Sequence, residues 1–560
     1  MHRNSAESRT LDPTGQRTMA SQSPFLLLPT ELRIKILLQL DNGSLTLCRS
    51  VCRDLTGLIS SEVALQYKLE LARAGMIDGP LGSSQTSLSE RLEKVKAYRT
   101  AWHSPTVVFD KRFPQRPPRL RIRPVTGGVL PYSTGLTGVD FWKPGSSLRG
   151  VSEVRVPCSQ ALQNMEFSSV SVDIGQDLVV LTTETLYPGS LNVNTYEVRL
   201  LTTACVPHPL AAQSQIRSEA QRPPPPYNPK NISSTEIFGD LVAWSASTDP
   251  GRILVWNWKT GDVLLRLTPY ADVSCFKFLD NSLFLVLFDK DLRIYELHHP
   301  ASAEGHPITI ADCPCVLRLP AFAPGAVFLL GKKLHMQSSS SPSSTTPLFC
   351  HDPDLKIVCV TLRLRYIGDQ DLADSEVENF MFLIPVATLL SHFHRVRSAA
   401  QADASAPREI PWDNWGPAGS RVFATAFLHV GVSGTKVIAV HQVGWDADGR
   451  HPRYRIFVLD INPFAVYSLD RSPKPLEFPA NSGEFITTCR AFQGPVRSEL
   501  PCVVTLLVDI TLKLEAGADP RHNSGWYDLV VFEDQWALLY LEHYQDPVRF
   551  TSTGVYTFQI

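Results

Sequence analysis

No run of about 18 apolar residues occurs anywhere in this chain, so no part of it is expected to cross a membrane as a helix. The opening stretch "MHRNSAESRTLDPTGQRTMASQSP" lacks the apolar centre of a secretory signal, and Glu7 and Asp12 argue against a transit peptide. An excess of one charge is missing too. Lys and Arg number 53 against 55 Asp and Glu, so there is no global electrostatic case for nucleic acid. The 11 cysteines are odd in number and scattered, and several lie inside apolar runs such as "DVSCFKF". That pattern fits reduced, buried thiols rather than a disulfide framework, and places the protein in cytoplasm or nucleus.

Catalytic signatures are equally scarce. There is no Gly-x-Ser-x-Gly elbow and no His-Glu-x-x-His. "GAVFLLGKK" (325–333) spaces its glycines wrongly for a phosphate loop and puts Lys333 where Ser or Thr must reach magnesium, so it reads as a strand. "DQDLADSE" (369–376) lacks the glycine and a ligand of a calcium loop and reads as a solvated acidic loop. Cys313 and Cys315, with His298 and His299 nearby, are too closely spaced and lack a second ligand pair for a metal site. No catalytic residue, metal or cofactor is expected. The basic stretch "KRFPQRPPRLRIRP" (111–124) alternates Arg119, Arg121 and Arg123 with Leu120 and Ile122, the period of a charge-protected edge strand. "PPPPY" (223–227) contains, in Pro224, Pro225 and Tyr227, the form that WW domains read, although so short a motif is more commonly an extended loop between blades.

What the chain does have is length, proline and two contrasting textures. With 560 residues it should hold more than one domain, and its 43 prolines favour many turns over long helices. Residues 1–24 are polar and expected to be disordered. From 25 to 103 the pattern is helical. Pro29, Thr30 and Glu31 open a helix on which Leu32, Ile36 and Leu40 recur, with Leu37 beside them. A second apolar stripe combines Leu47, Val51, Leu55 and Leu58. A third helix ends at Gly75, and a fourth opens with Ser87 and Glu90 at capping-box spacing and carries Leu88, Leu92, Val95 and Trp102.

After residue 104 short strand-like runs alternate with turns, most clearly over 239–298, and weaker versions recur before and after. Repetition of such meanders over several hundred residues favours a propeller, because each sheet needs neighbours to bury both faces. Three stretches, 221–230, 337–347 and 397–411, have the composition of solvated loops.

Two resemblances follow from these residues. "LPTELRIKILLQLDNGSLTLCRSVCRDLTGLI" resembles an F-box of the kind found in large fungal F-box families, through Leu28-Pro29, Glu31-Leu32, Ile36, Leu37, Leu40, Leu45 and Ser50-Val51-Cys52-Arg53. Leu55 stands where many F-boxes carry Trp or Phe. "ILVWNWKTGDVLLRL" looks like the end of a degenerate WD-type blade, with Trp256-Asn257 in place of Trp-Asp and a Thr260-Gly261 turn. "PWDNWGP" (411–417) is similar to segments of the same fungal proteins.

The resemblance implies a multidomain α plus all-β chain: leader 1–24, F-box 25–64, helical linker 65–103, and a β-propeller-like domain of about six or seven blades over 104–560. It implies a substrate-recognition adaptor of a Skp–cullin–F-box ubiquitin ligase. The Skp-type adaptor would dock on Leu28, Pro29, Glu31, Leu32, Ile36, Leu40, Leu45, Val51, Cys52 and Leu55, with cullin beyond it and an unknown target on the β domain. An interaction scaffold that does not engage cullin, or a propeller that binds another ligand, are the alternatives.

Overall fold

A computed structural model of the chain describes residues 23–80, 86–102, 106–110, 129–133, 139–157, 169–187, 191–201, 206–221, 234–245, 253–267, 275–297, 313–329, 333–337, 347–366, 377–403, 408–424, 427–445, 452–466, 485–487, 490–511, 526–531, 535–541 and 555–559. The leader, the basic stretch 111–124, the Pro-Pro-x-Tyr segment, the acidic loop 369–376, and His298 and His299 lie outside these residues. Two compact units divide the chain, Met1–Leu69 and Glu70–Ile560.

The first unit is helical. It contains α1 (Thr30–Gln39), α2 (Asn42–Val51), α3 (Arg53–Ser61) and the start of α4 (Val63–Ala74). The expected single stripe from Leu47 to Leu58 is broken at Cys52, whose extended backbone (φ -154°, ψ 162°) ends α2 and opens α3. Leu55 is therefore buried while Leu47 and Val51 face solvent.

In the second unit the last turn of α4 is held by polar side chains. Asn462 Nδ2 donates to the carbonyls of Ala72 and Arg73 at 2.8 and 3.0 Å, and Lys436 Nζ donates to Ala74 O at 3.1 Å. These bonds satisfy carbonyls that a helix end leaves open. Gly75 follows with φ +72°, where a side chain would be strained and would press on Thr435.

Met76–Asp78 then pairs antiparallel with Phe349–His351. In α5 (Leu88–Ala101), Ser87 accepts from Glu90 N at the first turn; Leu92, Val95 and Tyr98 are buried, as is Trp102 just beyond, while Leu88 remains exposed. Arg99 Nε reaches the buried Glu70 at 3.1 Å. From Glu70 onward the described residues of the stretch 65–103 belong to the second unit, where Tyr98 meets Phe349 edge to face at 5.5 Å.

Among the described residues, seven sheets of three to five strands follow, antiparallel but for one parallel edge, apart from two small two-stranded pairings. In chain order they start at Leu130–Ser133, Ser169–Asp173, Ser234–Phe238, Cys275–Phe278, Ala326–Phe328, Phe427–Ser433 and Trp526–Val531. Successive side chains on a strand point to opposite faces, and here each face meets a different neighbour. Val179 and Leu181 of the second sheet pack back on Phe141 and Val156 of the first, while Leu178 and Val180 pack forward on Val242, Trp244 and Trp256 of the third. Ala243 and Val255 of the third sheet meet Phe276, Phe284 and Val286 of the fourth. Leu285 and Ile294 of the fourth meet Val358, Val360 and Phe382 of the fifth, and Cys359 and Met381 of the fifth meet Val437, Ala439 and Phe457 of the sixth. Each inner sheet is apolar on both faces because both are covered.

First strands of consecutive sheets also touch, except that in the fifth sheet the second strand, Lys333–His335, takes that place. Ser169–Asp173 lies against Ser234–Phe238, Cys275–Phe278 against Lys333–His335, Lys333–His335 against Phe427–Ser433, and Phe427–Ser433 against Trp526–Val531. The seventh sheet joins the two ends of the unit: Thr106–Asp110 pairs antiparallel with Val555–Gln559, which pairs in turn with Gln535–Leu541.

One expected loop is largely structured. Within 397–411, α6 (Val386–Ala402) runs to Ala402, since Val386, Leu389, Phe393 and Val396 recur at helical spacing and enter the core. Glu409–Ile410 then adds a parallel edge to Cys315–Arg318. Directly after it, "PWDNWGP" is a packing device. The Trp412 and Trp415 rings meet edge to face at 4.9 Å, and Trp415 Nε1 donates to Arg318 O at 2.9 Å. A Cβ on Gly416 would lie 2.3 Å from the Trp412 ring. Gly416→Ala is expected to destabilise the β unit by about 1–3 kcal/mol, visible as an earlier urea midpoint with an unchanged slope.

Candidate functional site

The helical unit has a small core of Leu37, Leu45, Leu55, Ile59, Leu65 and Leu69, with Phe25, Leu26, Leu38, Leu40, Cys48, Cys52 and Leu58 against it. Local capping fixes its helices. Asp41 accepts from Ser44 N at 2.9 Å and Ser44 Oγ at 2.6 Å at the start of α2. Those bonds hold the Asp41 carboxyl below its usual range, so the ionised cap persists as the pH falls and is lost only in stronger acid. At the other end of α1, Lys68 Nζ donates to Leu38 O at 2.6 Å and Leu40 O at 2.5 Å, a cation on a helix C-terminus.

Against this ordered interior, five large apolar side chains stay in solvent. Leu27 is 67% exposed, Leu32 46%, Ile36 42%, Leu47 68% and Val51 71%. Leu32 and Ile36 sit four residues apart on α1, and Leu47 and Val51 four apart on α2, so each helix turns an apolar pair outward. Scattered exposed leucines are ordinary, whereas two such pairs on adjacent short helices are less so. Covering five side chains from this state is worth roughly 5–10 kcal/mol before the cost of association.

The residues expected at the interface therefore separate into three groups. Pro29, Glu31, Leu32, Ile36 and Val51 are exposed; Leu28, Leu40 and Cys52 are half-buried; Leu45 and Leu55 are interior. The last two lie in the helical core and offer no surface, and the break at Cys52 is what turns Leu55 inward. Leu27 and Leu47 complete the outward set. Leu47 is visible in the sequence as an apolar residue of α2, but nothing in the triple leucine 26–28 shows which one points out.

In the β unit, Trp256 is fully buried in the core between the second and third sheets. Asn257 Oδ1 accepts from Lys259 N at 2.9 Å and Thr260 N at 3.2 Å, closing the turn that Gly261 completes at φ +80°. Cys313 and Cys315 are buried; Cys313 Sγ donates to Ile294 O and Cys315 O. Burial pushes their thiols up to about 11 and about 12, so they are neutral and unreactive near neutral pH. Among the described residues no three His, Cys, Asp or Glu side chains are placed to hold a metal, and no helix is long and apolar enough to cross a membrane.

No family model matches the chain, and no curated protein does. Among solved structures, it is similar to BamB from Moraxella catarrhalis at 11% identity and TM-score 0.31, over 81% of this chain and 98% of that one. It is also similar to the computationally designed Ika8 protein, at 10% identity and TM-score 0.28, over 79% and 98%. The β-propeller domain of the Trilobed protease from Pyrococcus furiosus matches at 10% identity and TM-score 0.26, over 70% and 96%. At these scores the fold rests on the sheet pairings rather than on the neighbours.

Proposed function

We propose that this chain is a substrate-recognition subunit of a Skp–cullin–F-box ubiquitin ligase. Its helical unit docks the Skp-type adaptor, and its β unit, read as a closed seven-bladed propeller, holds the target. The observation that carries the docking claim is the outward placement of Leu32, Ile36 and Val51, which the F-box resemblance names and which the unit's own core leaves uncovered. Helix faces with anchors at this spacing insert into apolar grooves of partner proteins. The closed ring is supported by sheets that share cores in chain order and by the pairing of 106–110 with 555–559. In this reading the chain performs no chemistry. It raises the concentration of a target beside the ubiquitin-loaded enzyme, in cytoplasm or nucleus.

Co-purification of the full-length chain tests the proposal. Recovery of both the Skp-type adaptor and cullin is expected. Adaptor without cullin would make the protein a scaffold outside the ligase, and neither would remove the docking claim.

A further inference from the structure

The first strands of the sheets gather polar side chains where they touch. Ser171 Oγ donates to Thr235 O at 2.8 Å between the second and third sheets. Glu236, buried to 3% exposure, meets Lys277 Nζ of the fourth sheet at 3.2 Å. The strand Lys333–His335 of the fifth sheet lies between that of Lys277 and that of His429 in the sixth. Lys333 is exposed, while His335 and His429 are half-buried beside it. Among the described residues the only carboxylate paired in this group is Glu236, which is taken by Lys277, and no acid pairs with Lys333.

Burial, reinforced by Lys333, drives both imidazoles to stay neutral, His335 down to about 3 and His429 down to about 4; Lys277 and His429 add to the effect on His335. Among the described residues, Lys333, Lys277 and the two histidines are the titratable or charged groups acting on these rings. The touching strands thus bring four basic side chains from three sheets into one region, with one paired carboxylate, Glu236, among them. Such an arrangement is unfavourable without an anion and favourable around one, because an anion offsets the lysine charge and lets the imidazoles take up protons as donors.

We infer that the side chains of Lys277, Lys333, His335 and His429, on the touching strands Cys275–Phe278, Lys333–His335 and Phe427–Ser433 of the fourth to sixth sheets, bind a small oxyanion. Lys333 supplies the fixed charge, and the histidines supply donors once protonated. The site is independent of the docking face, so either can fail alone.

Calorimetric titration of the full-length chain with sulfate tests the inference, since sulfate keeps its charge over the range used. Affinity is expected to tighten as the pH falls from 8 to about 5, by up to about tenfold per pH unit for each proton taken up with the anion. Lys333→Gln should weaken binding at least about tenfold, the loss of one charge-assisted contact, with an unchanged urea midpoint as the control for folding. The double variant His335→Gln with His429→Gln should keep binding near pH 8 and lose its pH dependence. Absence of binding at millimolar sulfate, or binding that Lys333→Gln leaves intact, overturns the assignment.

Discussion

Leu32→Asp combined with Ile36→Asp is expected to abolish capture of the Skp-type adaptor while the β unit unfolds at its original urea midpoint. Both side chains are already in water, 46% and 42% exposed, so their replacement opens no cavity in the helical unit. On the bound side the change is severe. Two carboxylates would enter a groove shaped for apolar groups, and each unpaired charge taken out of water costs several kcal/mol. That penalty alone matches the roughly 5–10 kcal/mol that covering the exposed set could return. Affinity should fall by more than about a thousandfold, equivalent to about 4 kcal/mol. Leu37→Ala makes the contrast. It removes a side chain only 1% exposed and should cost about 2–5 kcal/mol of stability in the helical unit, losing binding through unfolding. Retained adaptor capture by the double aspartate variant would place the interface elsewhere.

The histidines of the touching strands give the fold an acid-sensitive term of their own. Their folded values lie below the ordinary 6.5, so above that pH neither state holds the extra proton and no cost arises. As pH falls through 6.5 the unfolded chain takes up protons that the folded chain refuses. Stability should therefore drop between about pH 6.5 and about pH 4, by at most about 1.4 kcal/mol per pH unit for each histidine. Urea midpoints across that range read it, and His335→Gln with His429→Gln should flatten the slope.

What could be read from the sequence was what depends on local spacing. Helices α1, α4 and α5, with the Ser87 cap and the stop at Gly75, follow from apolar periodicity and capping chemistry, which act over a few residues. The change to short paired strands after residue 104 was equally plain. Harder to see was which side of a short helix faces inward, because that depends on neighbours contributed later in the chain. The pattern joins Leu32, Ile36 and Leu40 in one face, yet Leu37 is the buried anchor, with Leu40 leaning inward and Leu32 and Ile36 outward. Continuity of Leu47 with Leu55 failed for a related reason: one extended residue, Cys52, rotates α3 relative to α2, and no residue type forces that break. The stretch 397–411 looked like a loop through its Ala and Ser content, but alanine is also the strongest helix former, and the apolar residues from Val386 to Val396 carry α6 through it. The cluster on the touching strands could not be read at all, since Lys277, Lys333 and His429 are distant in sequence and their strands come together only through sheet stacking.

A chain stopped after Gly554 should lose most of the β unit's resistance to unfolding. The missing strand, Val555–Gln559, lies between Thr106–Asp110 and Gln535–Leu541, and it is paired to both. Its removal leaves the early strand with no partner in the seventh sheet, so the link between the start and end of the unit is broken. Five residues paired on two sides account for several backbone hydrogen bonds, each worth about 0.5–1.5 kcal/mol net. The total is of order 5 kcal/mol, comparable with the entire stability of an ordinary domain. An edge strand exposed in this way is also a template for pairing with other chains, so association should accompany the loss. Supplying a peptide of sequence 555–560 in trans should restore part of the midpoint if pairing is the cause, because the strand is short and its two neighbours remain. An unchanged urea midpoint in the truncated chain would mean that the sheets hold together without the joining strand, and the closed-ring reading would have to be given up.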